Sequence, residues 1–148
     1  MYERNGAGGG GGGQIRGLIK LAKSVKRGGK TAWDDKEVRQ KIVQFISEST
    51  ALRYTGYRQL TRRLKGLPPG PEGSMMKLCG SELNLRIQMF AMELLGPYAQ
   101  IEHKAPHAVD QGKWLFRMLA ARGMTIAAGT NQIQHNIIGE RVLGLPKG

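Results

Sequence analysis

Apolar residues recur along most of the chain at intervals of three and four positions, which is the period of one helix face. No segment keeps the alternation of apolar and polar residues that a half-buried strand requires. The helical pattern occupies three long and two short segments, at residues 14–26, 35–65, 74–95, 114–121 and 130–142. We therefore predict an all-α fold, an antiparallel four-helix bundle of long helices with a short C-terminal helix.

Side chains that accept hydrogen bonds from backbone N–H groups mark several of the helix starts. Asp34 or Asp35 is placed to cap the second helix, Ser74 the third and Thr130 the last. The second helix is expected to present one seam of apolar and small residues to its neighbours: Val38, Ile42, Phe45, Ser49, Leu52 and Gly56. The third helix is expected to bury one face: Met75, Leu78, Leu85, Met89 and Met92.

Glycine separates these segments and also forms a long run near the start of the chain. Residues 6–13 hold seven glycines, six of them consecutive. Each glycine in a helix costs about 1 kcal/mol relative to alanine, so the run predicts a flexible linker, helical only where close packing excludes side chains. The pair Gly28-Gly29 predicts the end of the first helix.

Composition limits the class of protein. The 148 residues form about one domain, and a single cysteine, Cys79, excludes an intramolecular disulfide framework. No apolar run approaches the ~18 residues of a membrane span, and no signal-peptide pattern opens the chain, so a cytoplasmic setting without a membrane partner is expected. The formal net charge of +12 favours anionic partners.

Candidate chemical motifs are weak when taken one at a time. Residues 6–11 match the spacing of a dinucleotide-binding loop, but no strand precedes or follows them. His103 and His107 are four residues apart, yet Pro106 interrupts any helix there and no further ligands complete a site, so we predict no metal. Two basic segments, 14–30 and 53–65, leave a basic all-α nucleic-acid-binding module open as an alternative.

Longer stretches resemble one known family. The C-terminal segment 125–147 reads TIAAGTNQIQHNIIGERVLGLPK, which resembles the C-terminal signature of flavin-dependent acyl-CoA dehydrogenases. Residues 69–77, PGPEGSMMK, and the ELLG at 93–96 are similar to the family's second motif. Residues 1–4, MYER, resemble the entry into the family's C-terminal helical domain. The resemblance therefore covers essentially all of residues 1–148 as that one domain.

The resemblance implies a reaction, α,β-desaturation of an acyl-CoA thioester, in which a base takes the α-proton and FAD takes a hydride. Many members place the base where this chain has Ala128, which cannot accept a proton. Others use a glutamate in a Glu-Arg pair at the domain's start, so the resemblance implies Glu3 as catalytic base, with Arg4 beside the substrate. It also implies substrate contacts at Ala128 and Gly129, through the Ala128 N–H, and FAD contacts at three residues: Thr130, Asn131 and Gln132.

The resemblance also implies what accompanies this domain. Family members carry an N-terminal helical domain and a middle β domain, so we expect the chain to be a domain or fragment of a longer enzyme of fatty-acid metabolism, inactive by itself. The implied partners are acyl-CoA, the missing domains, further subunits of a homo- or hetero-oligomer, and an electron-transfer flavoprotein as acceptor. A non-catalytic partner subunit of a hetero-oligomeric acyl-CoA dehydrogenase remains an alternative. Segments 26–33 and 93–97 lack the flavin-contacting motifs that many members carry there.

Overall fold

The computed structural model describes residues 11–68, 70 and 72–146. Within these residues five α-helices account for most of the chain: α1 Gly11–Ser24, α2 Lys36–Leu64, α3 Glu72–Leu95, α4 Lys113–Met124 and α5 Asn131–Arg141. Short 3₁₀ turns at Ala32–Asp34, Gly96–Gln100 and Val109–Gly112 connect them. The prediction of an all-α helical domain is confirmed.

The predicted caps of α2 and α5 are present. The Asp35 carboxylate accepts a hydrogen bond from the Glu37 N–H at 2.8 Å, and α2 begins at the next residue. The Thr130 hydroxyl accepts from the Ile133 N–H at 3.3 Å, and α5 begins at Asn131. Each cap satisfies an N–H group that has no partner inside its helix. Ser74 does not cap α3, because that helix already begins at Glu72.

The first helix differs from its predicted form at both ends. It begins at Gly11, inside the glycine run, although a Cβ on Gly12 or Gly13 would meet nothing within 4 Å. The expectation that only close packing would make these glycines helical is therefore wrong for Gly12 and Gly13. The buried face that follows stabilises α1 through Ile15, Leu18, Leu21 and Ala22. Because extending a formed helix is easier than starting one, the helix includes the last glycines of the run at its N-terminal end. Residues 6–10 of the run lie outside the described residues.

Gly28 and Gly29 turn a small β-hairpin and do not end α1. Strand β1 (Lys26–Arg27) pairs antiparallel with β2 (Lys30–Thr31), and the two glycines between them have φ of +56° and +83°. A two-residue hairpin turn of this kind requires positive φ at both central positions, which glycine adopts without strain. Strands of two residues are too short to produce an alternating pattern in the sequence.

Helix α3 lies at the centre of the bundle and packs against α1, α2, α4 and α5. Its predicted single buried face is wrong, since Met75 and Met89 are 42% and 40% exposed. With neighbours on several sides, α3 buries a broad face: Leu78, Ser81, Leu83, Ile87, Gln88, Ala91, Leu94 and Leu95. Its exposed side is the narrow stripe that includes Glu82, Arg86, Met89 and Glu93, so the apolar spacing of the methionines does not identify the buried face.

Helix α2 packs on the core mainly through its N-terminal half. Val38, Ile42 and Phe45 of the predicted seam are buried, and Phe45 meets Phe90 edge to face with ring centroids 5.8 Å apart. Farther along the seam, Gly56 allows the close approach of α3 that its small size predicted, because a Cβ there would lie 3.3 Å from the Met76 Cε. Among the described residues, no helix combines the length and apolar character that crossing a bilayer requires.

Candidate functional site

The residues singled out near the C-terminus form a turn that joins α4 to α5. After α4, Ala128 and Gly129 both adopt positive φ, +56° and +97°, and Thr130 returns to extended backbone. A left-handed conformation at a residue with a Cβ costs about 1–3 kcal/mol and persists only where its surroundings hold it. Ala128 is therefore a place where the fold imposes a backbone conformation for which the residue itself has no preference.

Gln134 holds this turn from the α5 side. Its side chain is 6% exposed, and its Nε2 donates a hydrogen bond to the Ala128 carbonyl at 3.3 Å. A Cβ on Gly129 would lie 2.8 Å from the same nitrogen. Glycine is thus required at position 129 for two reasons, the positive φ and the close approach of the Gln134 amide.

The turn leaves backbone N–H groups without acceptors. In the described part of the chain, the N–H groups of Ala128, Thr130, Asn131 and Gln132 donate to no protein acceptor. The last three belong to the N-terminal end of α5, where unpaired N–H groups and the helix dipole create positive potential. The arrangement suits an electron-rich oxygen or a negative charge that develops on one.

The Asn131 side chain faces α3 and binds it through its oxygen and one of its N–H groups. Its Oδ1 accepts from the Lys77 Nζ at 3.1 Å and lies 3.4 Å from the Ser81 Oγ, while its Nδ2 donates to Glu82 at 3.1 Å. The Lys77 Nζ also donates to the Thr125 carbonyl at 3.1 Å. These contacts join α3 to both ends of the turn.

The implied cofactor-contacting residues therefore have three different environments. The Thr130 hydroxyl caps α5 as an acceptor and keeps its own hydrogen free to donate. The Gln132 side chain is exposed. Together with the unpaired N–H groups, these two fit the carbonyl and nitrogen acceptors of a flavin ring. The Asn131 amide oxygen and one of its N–H groups are bound to α3, which leaves the second N–H as its free donor.

Glu3 and Arg4, the implied base and its neighbour, lie outside the described residues. Two residues from other segments discussed above are placed. Arg27, in the segment that lacks a flavin-contacting motif, donates to the Leu94 carbonyl at 3.2 Å, at the C-terminal end of α3, where a cation is favourable. His103 contacts the Gln111 carbonyl. Across residues 11–146, apart from 69 and 71, no three His, Cys, Asp or Glu side chains are grouped to hold a metal ion.

The second basic segment occupies the exposed C-terminal half of α2. Tyr54, Tyr57, Arg58, Thr61 and Arg62 line a shallow groove there, with the two tyrosine rings edge to face. Two of the segment's five cations, Arg58 and Arg62, therefore share one helix surface with both of its tyrosines, as the nucleic-acid alternative requires. The groove is open and formed by a single helix, so it offers charge and stacking surface but no enclosed pocket.

Comparison with known proteins accounts for almost the whole chain. The family described as "Acyl-CoA dehydrogenase, C-terminal domain" matches residues 2–143. Acyl-CoA dehydrogenase IpdE1 of Mycolicibacterium smegmatis is 33% identical over 133 residues, which are 88% of this chain and 30% of that protein. Acyl-CoA dehydrogenase FadE26 of Mycobacterium tuberculosis is 27% identical over 139 residues, 91% of this chain and 35% of that protein.

Solved structures show the same arrangement of helices. The ChsE4-ChsE5 complex from Mycobacterium tuberculosis matches with a TM-score of 0.79 and 26% identity over 92% of this chain and 35% of the matched chain. A steroid acyl-CoA dehydrogenase, Tcur3481-Tcur3483, matches in fold with a TM-score of 0.78 at 20% identity. The chain spans about a third of the length of the relatives it matches. This chain belongs to the acyl-CoA dehydrogenase family, of which it forms the C-terminal helical domain.

Proposed function

We propose that this domain completes the active site of an FAD-dependent acyl-CoA dehydrogenase, in which Glu3 removes the α-proton of the thioester. The observation that carries the proposal is the turn at Ala128–Gly129, where unpaired N–H groups lie at the start of α5 within the segment that resembles the family's signature. Bound FAD would supply the acceptor for the hydride that leaves the β-carbon.

The turn supports proton abstraction through its backbone. As the α-proton leaves, negative charge builds on the thioester carbonyl oxygen, and a hydrogen bond that strengthens with that charge lowers the barrier. The Ala128 N–H has no acceptor among the described residues and is the proposed donor. Gly129 has no side chain to obstruct the approach of the thioester. Neither role depends on the side chain at position 128.

The base must then come from another position. Alanine at 128 cannot accept a proton, and Glu3 in its Glu-Arg pair supplies the carboxylate in the resemblance. On the cofactor side, the Thr130 hydroxyl and the exposed Gln132 amide are the proposed contacts of this chain. Asn131, which the resemblance also included, is the proposed third contact, through the N–H that α3 leaves unbound.

We infer that the remaining walls of the site belong to other domains and to further subunits, in a homo- or hetero-oligomer. The chain covers about a third of its relatives, and one matched structure is a complex of two named proteins, ChsE4 and ChsE5. Phe116 and Leu119 on α4 are 68% and 60% exposed, which supports burial against a partner. An electron-transfer flavoprotein is the proposed electron acceptor. The chain alone should bind little FAD, and a purified chain carrying stoichiometric flavin would contradict this.

The experiment that tests the base is single-turnover reduction of the flavin by saturating acyl-CoA, in the flavin-loaded enzyme that contains this domain. Glu3→Gln keeps the size of the side chain but cannot accept a proton, so the rate should fall by at least ~10²-fold with FAD content and acyl-CoA binding retained. Glu102→Gln, an exposed carboxylate without an assigned role, is the matched control and should react normally.

Two further variants identify the base if Glu3 is not it. Ala128→Glu in the Glu3→Gln background should restore part of the rate, since the resemblance places bases at both positions. Glu82 is a carboxylate that the structure joins to the turn, through the Asn131 amide. A Glu3→Gln enzyme that reduces its flavin within about threefold of the unmodified rate would disprove the assignment. If Glu82→Gln then slows flavin reduction, Glu82 would be assigned as the catalytic base.

A further inference from the structure

The contacts of Lys77 connect three segments of the chain at one nitrogen. Its Nζ donates to the Thr125 carbonyl and to the Asn131 Oδ1, each at 3.1 Å, across 48 and 54 residues of sequence. Thr125 follows the last residue of α4, and Asn131 is the first residue of α5. The lysine thus holds both ends of the segment that contains Ala128 and Gly129.

We propose that Lys77 is a positioning residue for the acyl-CoA site, which acts by fixing where the Ala128–Gly129 turn presents its N–H donors. The inference rests on the proposed function of that turn. Asn131 has the same positioning role, because the hydrogen bonds of its amide to Lys77 and Glu82 fix the start of α5 against α3. Lys77 touches neither substrate nor flavin in this assignment.

The physical chemistry of the contacts suits this role. A lysine ammonium has three donors and no acceptor, so two oxygens from different segments can share it. The Thr125 carbonyl is at the C-terminal end of α4, where the helix dipole favours a cation. Asn131 in turn donates to Glu82, so the positive charge is linked through one amide to a carboxylate on the same helix. Hydrogen bonds with a charged partner are stronger than those between neutral groups.

The turn needs such an anchor because its own backbone does not favour its shape. Ala128 holds a positive φ that alanine rarely adopts. Gln134 restrains the Ala128 carbonyl from α5, and Lys77 restrains the flanking residues from α3. Loss of the α3 anchor would let the donors move relative to the thioester, and a displacement of ~1 Å at a reacting group lowers the rate by about 10²-fold.

Lys77→Met tests the inference, because methionine fills a similar volume and cannot donate a hydrogen bond. In the flavin-loaded enzyme we expect flavin reduction to slow by about 10- to 100-fold while the Kd of acyl-CoA changes by less than about threefold. The infrared stretch of an isotope-labelled thioester carbonyl should return toward its frequency in solution. The hydrogen-bonded amides that flank the turn, at residues 126, 127, 133 and 134, should exchange faster in the flavin-free protein as well.

Two further variants keep the test decisive. Asn131→Leu removes the other half of the link and should reproduce the rate loss and the infrared shift. The double variant should be no slower than Lys77→Met, since both changes break one connection. Arg86→Met is the matched control, because Arg86 also joins α3 to a neighbouring helix, through Glu48 of α2, which is not part of the turn. It should leave the rate and the carbonyl stretch unchanged.

The outcomes separate this inference from the proposed function. An unmodified enzyme whose flavin is not reduced by any acyl-CoA would overturn the proposed function and this inference with it. A normally active enzyme in which Lys77→Met and Asn131→Leu keep the rate within about threefold, with the carbonyl stretch unmoved, would overturn the inference alone. Equal losses in Arg86→Met would also overturn it, since they would show a general loss of packing.

Discussion

Replacing Gly129 with alanine tests the geometry of the turn without any ligand. The residue has φ of +97°, where an alanine costs about 1–3 kcal/mol. The new Cβ would also lie 2.8 Å from the Gln134 Nε2, so the amide must move and lose its hydrogen bond to the Ala128 carbonyl. That loss adds about 1 kcal/mol for a buried group. Gly129→Ala should therefore lower the free energy of unfolding by about 2–4 kcal/mol.

Equilibrium denaturation in urea, followed by circular dichroism, measures the change, with the m-value as a check that both proteins unfold alike. Gly80→Ala is the matched control, because Gly80 is within α3 and a Cβ there meets nothing within 4 Å. It should stabilise the protein by up to about 1 kcal/mol, the opposite sign for the same chemical change. Ala128→Gly should also be neutral or stabilising, since glycine relieves the positive φ.

A Gly129→Ala protein whose free energy of unfolding is within about 0.5 kcal/mol of the unmodified value would refute the reasoning. Neither the strain of alanine at a positive φ nor the loss of the Gln134 hydrogen bond would then have affected stability. A loss of the expected size that is accompanied by an equal loss in Ala128→Gly would also contradict it. In that case the turn would be sensitive to any change of side chain, and the positive φ at position 128 would not be the cause.

Three other substitutions test separate parts of the fold by denaturation. Trp114→Ala empties the site of a 1%-exposed side chain and should destabilise the protein by about 3–5 kcal/mol. Asp35→Ala removes the α2 cap and should lose about 1 kcal/mol, while Asp35→Asn should retain most of it. The hydrogen bond from Arg86 lowers the pKa of Glu48 below its ordinary value of 4.5, so the folded state releases that proton more readily than the unfolded state. The pair's contribution is fully present above pH 4.5 and is lost as the pH falls through the lowered pKa of folded Glu48. Because both side chains are partly exposed, Glu48→Gln should lose no more than about 1 kcal/mol at pH 7, and progressively less as the pH is lowered.

The features that the sequence predicts well are those decided within a few residues. The caps at Asp35 and Thr130 are present because a side chain and the N–H group two or three residues later need no distant partner. The break after α2 and the start of α5 follow from the same local chemistry. The signature at residues 128–132 is recognisable in the sequence because it is contiguous.

Features that depend on distant segments are not predictable in this way. The burial of α3 is set by four neighbouring helices, so Met75 and Met89 are exposed despite their helical spacing. A Gly-Gly pair such as Gly28-Gly29 is typical of both a hairpin turn and the end of a helix. Only the pairing of β1 with β2 distinguishes the two structures. The contacts of Lys77 with Thr125 and Asn131 cross about fifty residues. A lysine that ends a recognisable motif indicates the position but not the partners.

The geometry of the turn is compatible with a catalytic base at a position other than 128. The donors proposed here are backbone N–H groups, whose placement depends on the positive φ of Ala128 and Gly129 and on their anchors at Gln134 and Lys77. The side chain at position 128 is exposed and takes no part in those anchors. A carboxylate can therefore be absent from position 128 without moving the donors, provided that another residue reaches the α-carbon. A substitution at position 129 would disturb the turn, because the Gln134 amide occupies the space that a side chain would need.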